Sequence, residues 1–382
     1  MEKRAVVAGH ICLDIIPHVD HHFDLEPGRL YEVGAPTIAT GGAVSNTGMT
    51  MHILGVPVTL MGKIGNDSFG QSVLDVIRRR APGLETGMTI SPEADTSYSI
   101  VINIPGIDRI FLHCPGANAD YVANDVNWKA VAKAHLFHFG YPSFMAAMYQ
   151  DNGRELRAMY RQAKASGLTT SMDPGMPDPA GPAGKVDWKG VLAALLPDVD
   201  VFMPSADELL YMLNPDRFGQ GDNLPPEELH RLGDTLIGMG AAVSAIKLGK
   251  RGMYIRTASQ KRLATMGASK PADLQAWADR EMWFPIYKED KFMGATGAGD
   301  ASIAAFLTAL MRGQSLREAG FFAAAVGACN VEAPDSLGGI KSWDETMARI
   351  KSGWQTVPFT LNAQGWKQGD DGAWLGPANQ GE

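Results

Sequence analysis

The chain has 382 residues, of which 45% are hydrophobic and 20% charged, and this is the composition of a globular protein with a sizeable core. Its formal net charge of -8 disfavours a nucleic-acid-binding surface, because phosphate binding requires an excess of lysine and arginine. The three cysteines, Cys12, Cys114 and Cys329, lie far apart, so we expect reduced thiols rather than zinc ligands or disulfides. No stretch has the pattern of a signal peptide or the roughly 18 apolar residues of a membrane span. We therefore expect a cytoplasmic protein without nucleic-acid or membrane partners.

Short apolar runs alternate with segments of helical period over most of the chain. The runs predict strands at 4–8, 56–64, 134–139, 168–172, 199–203 and 243–248. The segments between and after them predict helices at 41–54, 69–80, 154–166, 225–239 and 298–312. Such alternation indicates an α/β fold with a mainly parallel sheet and helices on both faces.

Two regions interrupt this alternation. Strands at 97–104 and 109–113 are separated only by the turn sequence at 105–108, and the polar segment 14–32 has no helical period. These pieces predict a small β-sheet that projects from the main one. The polar segment 257–291, rich in Trp, Lys and Arg, is interpreted as a peripheral insertion.

The domain organisation follows from these interpretations. We expect an α/β core formed by 1–13, 35–94 and 114–354, with the insertion 257–291 inside it. The small sheet would comprise 14–34 and 95–113. The stretch 355–382, rich in Gly, Asp and Gln, is predicted to be a loosely packed tail.

The strongest local signal is the glycine-rich turn at 294–299, which opens a predicted helix. Its small residues allow a ligand to approach the backbone, and the free amides of a first helical turn attract anions. Asp300 follows directly and could accept a proton from a hydroxyl group bound there. An Asp in a first turn is also a common helix cap, so the turn alone leaves both interpretations open. The segment is neither a Walker A loop nor a dinucleotide-binding fingerprint.

Several motifs in a fixed order extend this signal. They are GGAVSN at 41–46, GKIGNDSFG at 62–70, PGAN at 115–118, KLGKRG at 247–252 and ATGAGD at 295–300. In this order they resemble the signatures of the PfkB family of ribokinase-like carbohydrate kinases, over residues from about 4 to 345. The resemblance implies a central, mainly parallel sheet flanked by helices, with a small β-sheet lid over the active site.

The resemblance also implies catalytic and substrate-binding roles. Asp300 would be the catalytic base, and the amides of Gly297, Ala298 and Gly299 would neutralise charge on the transferring phosphoryl group. Substrate-binding positions would be Asp14, Gly42, Asn46 and Asn118. Arg109, in the lid hairpin, could meet an anionic substrate group, although a solvated hairpin arginine is equally compatible with the sequence.

The family pattern further implies ATP and Mg²⁺ as ligands. ATP would lie over the segment that contains Lys247, Gly249 and Gly252, with Asn330 near the adenine. Ser205 and Glu208 correspond to the family's NxxE motif, in which Ser replaces Asn here. Glu208 would act on Mg²⁺ indirectly, since this ion prefers phosphate and water oxygens.

Three departures from the family pattern bear on its ligands. The leading Asp of the family's DTxGAGD motif is replaced by Gly294 or Ala295, which leaves the dependence on a monovalent cation open. The segment 173–179 lacks the Arg of the DxNxR sequence typical of keto-deoxy sugar acid kinases. His18, His21 and His22 have no acidic or Cys partners at ligand spacing, so they favour a polar edge over a metal site.

The sequence therefore predicts an ATP-dependent kinase that phosphorylates a hydroxyl group of a sugar or sugar derivative. A nucleoside kinase of the same fold is the first alternative, but the predicted lid has few aromatic residues to stack on a base. The second alternative is a sensor that binds sugar or nucleotide without turnover. Relatives form lid-to-lid dimers, so a homodimer is also compatible with the sequence.

Overall fold

The computed structural model describes residues 2–107 and 109–379; Asp108 of the predicted turn and residues 380–382 of the predicted tail lie outside them. The strands are β1 Ala5–Gly9, β2 Cys12–His18, β3 Gly34–Gly41, β4 Val58–Met61, β5 Lys63–Gly65, β6 Thr89–Ser91, β7 Tyr98–Ile102, β8 Ile110–Cys114, β9 Leu136–Gly140, β10 Thr169–Asp173, β11 Val201–Phe202, β12 Val243–Lys247, β13 Met253–Thr257, β14 Glu281–Phe284, β15 Lys367–Gln368 and β16 Trp374–Leu375. The helices are α1 Ala43–Ile53, α2 Ser68–Arg80, α3 Trp128–Val131, α4 Ala146–Ala165, α5 Trp188–Leu195, α6 Ala206–Leu213, α7 Pro226–Gly238, α8 Gln260–Leu263, α9 Leu274–Trp277, α10 Ala298–Met311, α11 Leu316–Asn330 and α12 Trp343–Lys351.

The main sheet has ten strands in the order β15-β16-β14-β13-β12-β11-β10-β9-β1-β4. The run from β4 to β12 is parallel, and the strands from β13 onwards are antiparallel. Side chains of β1 alternate between two cores, because Ala5 and Val7 belong to one and Val6 and Ala8 to the other. Helices α1, α10 and α11 pack on the first core, and α4, α5 and α6 pack on the second. The predicted parallel sheet with helices on both faces is confirmed.

A smaller sheet has the order β3-β2-β7-β8. Strands β7 and β8 form the predicted hairpin, and β2 pairs with β7 in parallel. The strand Gly34–Gly41 also belongs to this sheet, although the sequence assigned residues from 35 onwards to the core. This sheet leads directly into α1, which begins at Ala43.

The segment 257–291 is not a peripheral insertion, so this prediction is wrong. It contains β14, all four residues of which are buried and which pairs with β13 along its length. Trp277, Trp283 and Phe284 are among the largest fully buried side chains. A strand this short, placed between polar stretches, gives little periodicity in the sequence, yet its apolar side chains extend the core.

The stretch after 355 is not a loose tail within the described residues. Strands β15 and β16 extend the main sheet, and Trp374 lies opposite Trp283. The backbone N–H of Ala378 donates to the buried Glu281 carboxylate at 3.0 Å. Burial of tryptophan side chains therefore fixes a segment whose composition predicted mobility. No helix of the described residues is long and apolar enough to cross a membrane.

Candidate active site

Side chains from several elements meet at the carboxyl ends of the parallel strands, where open α/β sheets bind ligands. Asp300 lies in the first turn of α10 and is 3% exposed. Its carboxylate accepts hydrogen bonds from Asn46 Nδ2 at 3.0 Å, Thr47 Oγ1 at 3.1 Å and Tyr141 Oη at 2.7 Å. The first two donors come from α1, and Tyr141 follows β9 directly. The fold thus fixes one buried carboxylate from three directions.

This environment controls the protonation of Asp300 and its neighbour Tyr141. Burial raises the pKa of Asp300, while the hydrogen bond from Tyr141, the charge of Lys247 and the bonds from Asn46 and Thr47 oppose the rise. Burial and the Asp300 carboxylate together raise the pKa of Tyr141 well above its usual value, so the phenol stays a donor. Asp300 is thereby an oriented carboxylate with a raised affinity for a proton.

Lys247 ends β12 and forms an ion pair with Asp173, which ends β10. Its Nζ lies 3.1 Å from both Asp173 carboxylate oxygens. Burial lowers the pKa of Lys247, but Asp173, Glu208 and Asp300 outweigh this and raise it. The ammonium group therefore stays charged beside the α10 turn, where a Cβ on Gly299 would lie 3.6 Å from Nζ.

The glycine turn before α10 has the geometry of an anion site. Gly297 is the N-cap with φ 78°, a left-handed conformation that favours glycine, and no side chain caps the first turn. A Cβ on Gly297 would lie 2.6 Å from Ser336 Cβ, so the turn also packs tightly on its neighbour. From the small sheet, the Arg109 guanidinium donates to Thr296 Oγ1 within this turn. The predicted lid and the predicted anion site are therefore in direct contact.

Asp14 lies in β2 of the small sheet, to which the sequence analysis assigned residues 14–34. The chain turns at His10 and Ile11 and enters the second sheet before it reaches Asp14. The Cys12 thiol donates to Asp14 Oδ1 at 3.3 Å, and a Cβ on Gly41 would lie 2.3 Å from Oδ2. Burial raises the pKa of Asp14 to about 6, against the opposing Cys12 hydrogen bond. Asp14 thus adjoins the segment that leads to Gly42 and α1.

Other predicted site residues have structural contacts in this molecule. Asn118 bonds the backbone of Ile11 with both ends of its amide, accepting at 3.2 Å and donating at 2.8 Å. Ser205 caps α6 in a reciprocal capping box with Glu208, whose Oε2 accepts from Ser205 N at 2.6 Å. Asn330 donates to Ser336 O at 2.7 Å, while its buried Oδ1 has no partner among the described residues.

Gly249 and Gly252 form the turn between β12 and β13, and both have positive φ, 55° and 84°. A Cβ on Gly252 would lie 1.9 Å from the carbonyl oxygen of Phe284, so glycine is required for the turn to pass β14. Within the described residues, no three His, Cys, Asp or Glu side chains are arranged to hold a metal ion. Any Mg²⁺ here would need phosphate and water as most of its ligands.

Three residues around Asp300 and Lys247 were not predicted: Thr47, Tyr141 and Asp173. Tyr141 and Asp173 stand at the carboxyl ends of predicted strands, and that position was the signal that could have identified them. The left-handed backbone of Tyr141, φ 62°, gives no sequence signal. Thr47 directly follows the recognised motif at 41–46 and could have been included with it.

The model of the pfkB family of carbohydrate kinases matches residues 2–342. The chain belongs to this family. It is similar to a probable fructokinase-7 of Arabidopsis thaliana, with 25% identity over 362 residues that cover 92% of this chain and 93% of that protein. This carbohydrate kinase has the ribokinase-like fold of its solved neighbours.

Two solved structures illustrate the fold. The Arabidopsis thaliana ribokinase complexed with ribose and ATP aligns with a TM-score of 0.70 and 17% identity, covering 92% of this chain and 99% of that one. The fructokinase with bound ATP from Xylella fastidiosa aligns with a TM-score of 0.70 and 19% identity, at the same coverages. At these identities the likeness concerns the fold.

Proposed function

We propose that this carbohydrate kinase transfers the γ-phosphoryl group of ATP to a hydroxyl group of a sugar or sugar derivative, with Asp300 as the catalytic base. The observation that carries the proposal is the position of Asp300. It is a buried carboxylate, oriented by Asn46, Thr47 and Tyr141, in the first turn of a helix whose amides no side chain caps. A base and an anion site therefore adjoin each other.

The reaction follows from this juxtaposition. The substrate hydroxyl group transfers its proton to Asp300 while its oxygen attacks the γ-phosphorus, and ADP leaves with the electrons of the broken P–O bond. The amides of Gly297, Ala298 and Gly299 stabilise the charge on the equatorial phosphoryl oxygens. Lys247, charged and beside Gly299, adds to this stabilisation.

For the sugar, we propose contacts with Asp14, Gly42 and Asn46. Asn46 donates to Asp300 and keeps a buried, unpaired Oδ1 among the described residues, which supports its use as an acceptor for a substrate hydroxyl. We propose that Arg109 contributes to sugar binding from the lid, through its hydrogen bond to Thr296 in the turn before α10. Both ends of the Asn118 amide bond the Ile11 backbone, so we assign Asn118 the role of positioning the β1–β2 turn.

We propose that ATP binds to the surface formed by Gly249, Gly252 and Asn330, with its phosphates near Lys247. The two solved relatives that contain ATP support this choice of phosphoryl donor. The unpaired Oδ1 of Asn330 supports a polar contact near the adenine. Ser205 is proposed to act only through the α6 cap that it shares with Glu208.

Mg²⁺ would be held by the ATP phosphates and water, with Glu208 acting on it through water. Such an ion neutralises phosphate charge during transfer. In some relatives the leading carboxylate of this motif helps to bind a monovalent cation, and here Gly294 or Ala295 stands at that position. We therefore propose a kinase whose rate depends on Mg²⁺ and little on K⁺.

A nucleoside kinase is the second candidate, and one observation favours it. His10, His113, Tyr141 and Phe144 form a group of rings beside Asp300, with centroids 5.2–6.1 Å apart. This group was not visible in the sequence, because its members come from β8 and from the ends of β1 and β9. It could contact the apolar face of a sugar ring or stack on a base.

The small sheet exposes Ile38 and Leu112, at 43% and 54%, on one face, because the strand register aligns both with Ile15 and Ile100. Apolar side chains exposed together on one sheet favour association. We propose a homodimer that pairs this face with its copy. Light scattering of the protein and of an Ile38→Ser, Leu112→Ser variant tests this, and a monomer in both would contradict it.

The function is tested by ADP release in the presence of ATP and Mg²⁺ over a panel of sugars, sugar acids and nucleosides. We expect turnover with at least one sugar or sugar acid. Turnover with nucleosides alone would replace the proposal by the second candidate. Binding of ligands without ADP release would favour a sensor.

A further inference from the structure

His10 is a buried histidine with no hydrogen-bonding partner for either ring nitrogen among the described residues. It follows β1, it is 3% exposed, and its backbone is fixed by bonds to Gly140 and Val44. Burial and the nearby His113 lower the pKa of His10 well below its usual value, so the imidazole is neutral. A neutral imidazole has one N–H donor and one acceptor nitrogen. Both are unused here.

Unpaired buried polar atoms are costly, and a phenylalanine of similar shape would fill this space without that cost. The other polar rings of the group have partners. His113 Nδ1 lies 3.0 Å from Ser99 Oγ, and Tyr141 donates to Asp300. The His10 ring therefore differs from its neighbours in hydrogen bonding, not in packing.

His10 also contacts the predicted substrate segment. A Cβ on Gly42 would lie 2.6 Å from His10 Nδ1, so the absence of a side chain at Gly42 makes room for this ring. Asn46, one turn further along α1, carries the unpaired Oδ1 described above. Two side chains with unpaired polar atoms thus lie close to Gly42, and one of them, Asn46, donates to Asp300.

We propose that His10 hydrogen-bonds the sugar substrate and is a specificity-determining residue of the site, an inference that rests on the proposed kinase function. The rings of His10, Tyr141 and Phe144 then form an aromatic wall on the core side, and His113 in β8 completes the wall from the lid. A cyclic sugar fits such a wall, because its C–H face packs on the rings while its hydroxyl groups meet His10, Asn46 and Asp14.

The lid side of this wall is linked to Asp14 by polar contacts. From His113 the contacts run to Ser99, then to Cys12 at 3.8 Å, and from Cys12 to Asp14. Movement of the small sheet therefore carries His113 and Asp14 together. Since His113 packs on His10 at 5.2 Å between centroids, lifting of the lid uncovers the His10 ring for the substrate.

The test uses the full-length protein and steady-state ADP release with D-fructose, D-ribose, the open-chain polyol D-sorbitol and adenosine. For the cyclic sugar that the wild type uses best, we expect His10→Phe to raise KM about tenfold or more, as for loss of a buried hydrogen bond. Its kcat and the KM for ATP should stay within about threefold. His10→Gln, which keeps a donor and an acceptor, should recover most of the sugar KM.

His52→Phe is the matched control, because it places the same substitution at an exposed position of α1. Its KM for the sugar should equal that of the wild type. If the wild type turned over the sugar and His10→Phe left the sugar KM unchanged, the role of His10 would be overturned and the proposed kinase function would stand. If both His10 variants lowered kcat and raised the KM values for sugar and ATP by similar factors, the role of His10 would be purely structural.

The same assay separates this inference from the proposed function. A wild type that releases ADP with none of the four compounds or the wider panel would remove the kinase function and the inference together. Preference for adenosine over both sugars would indicate that the aromatic wall stacks on a nucleobase. Preference for D-sorbitol would show that the substrate need not be a cyclic sugar.

Discussion

Asp300 and Glu281 are both buried carboxylates with several hydrogen-bond donors, yet they stand in different parts of the sheet. Asp300 lies at the carboxyl ends of the parallel strands, between helices α1 and α10. Glu281 begins β14 at the antiparallel side, where it accepts from Tyr254 Oη at 2.8 Å and contacts His230 Nδ1 at 3.0 Å. The Ala378 amide from the C-terminal segment completes its environment.

The difference lies in what surrounds each carboxylate. Around Glu281 the side chains bond one another and hold the C-terminal segment on the sheet. Near Asp300, two buried side chains have unused hydrogen-bonding atoms within the described residues: Asn46, which donates to Asp300 but has an unpaired Oδ1, and His10, whose ring packs on Tyr141. Burial and hydrogen bonding are common to both, so they do not identify a reactive group. Unpaired neighbours and an uncapped helix turn distinguish Asp300 from Glu281, and on these grounds we propose Asp300 as the reactive carboxylate.

The largest effect is expected from removing the charge at Asp300. Asp300→Asn should lower kcat by at least about two orders of magnitude, as for loss of a general base, and leave the Kd for ATP nearly unchanged. Glu281→Gln is the matched control with the same change of carboxylate to amide, and its kcat should stay within about twofold. Kinetics and calorimetry on both proteins make the comparison. Retained turnover in a folded Asp300→Asn variant would contradict the assignment of the base.

Asp14→Ala should lower kcat/KM for the sugar by about one to two orders of magnitude, because it leaves substrate hydroxyl groups unpaired in a buried site. The KM for ATP should barely move. The measurement is steady-state kinetics with each substrate varied in turn. Lost ATP affinity with unchanged sugar affinity would show that the two binding sites are wrongly placed.

The pH dependence should reflect Asp14, whose pKa is raised to about 6. Its ionised form accepts hydroxyl donors, so kcat/KM for the sugar should fall as the pH drops below about 6. Stability has the opposite sign: the raised pKa favours the folded state at low pH, and this contribution is lost as the pH rises from about 4 through about 6. An Asp14→Asn variant should weaken both trends near pH 6 and leave the acidic limb that belongs to Asp300, and a profile identical to that of the wild type would exclude Asp14 as a source.

Tyr141→Phe should have a smaller effect, about tenfold in kcat, because Asn46 and Thr47 still orient Asp300. The Tyr141 hydrogen bond lowers the pKa of Asp300, so its loss should shift the acidic limb of the kcat profile to higher pH. A fall in kcat without any shift of this limb would indicate that Tyr141 acts on the substrate and not through Asp300.

Substitution of Glu281 should have the smallest effect on catalysis, and it should instead lower the stability of the fold. Glu281→Gln should lower the free energy of unfolding by about 1–3 kcal/mol, because an amide has only one oxygen to accept the contacts that Tyr254, His230 and the Ala378 amide make with both carboxylate oxygens. The melting temperature and the denaturant midpoint measure this. An unchanged melting temperature would show that Glu281 does not anchor the C-terminal segment.

The parallel part of the sheet could be predicted because its strands are continuous apolar runs, and the α10 turn because its glycines precede a helix with a clear period. Strand β14 could not be predicted, since its four residues pair with β13 and with β16, which is about 90 residues away in sequence. The aromatic wall depends on a contact between His113 in the lid and His10 in the core, which no local pattern contains.

The most direct test of the account is a crystal structure with the preferred sugar and a non-hydrolysable ATP analogue. We predict that the acceptor hydroxyl group lies about 2.6–3.2 Å from an Asp300 carboxylate oxygen, the range for proton transfer to a base. The γ-phosphate should lie against the amides of Gly297, Ala298 and Gly299, with the hydroxyl oxygen in line with the bond to be broken. A sugar whose hydroxyl groups all lie beyond hydrogen-bonding distance of Asp300, with the phosphate away from the α10 turn, would contradict the account.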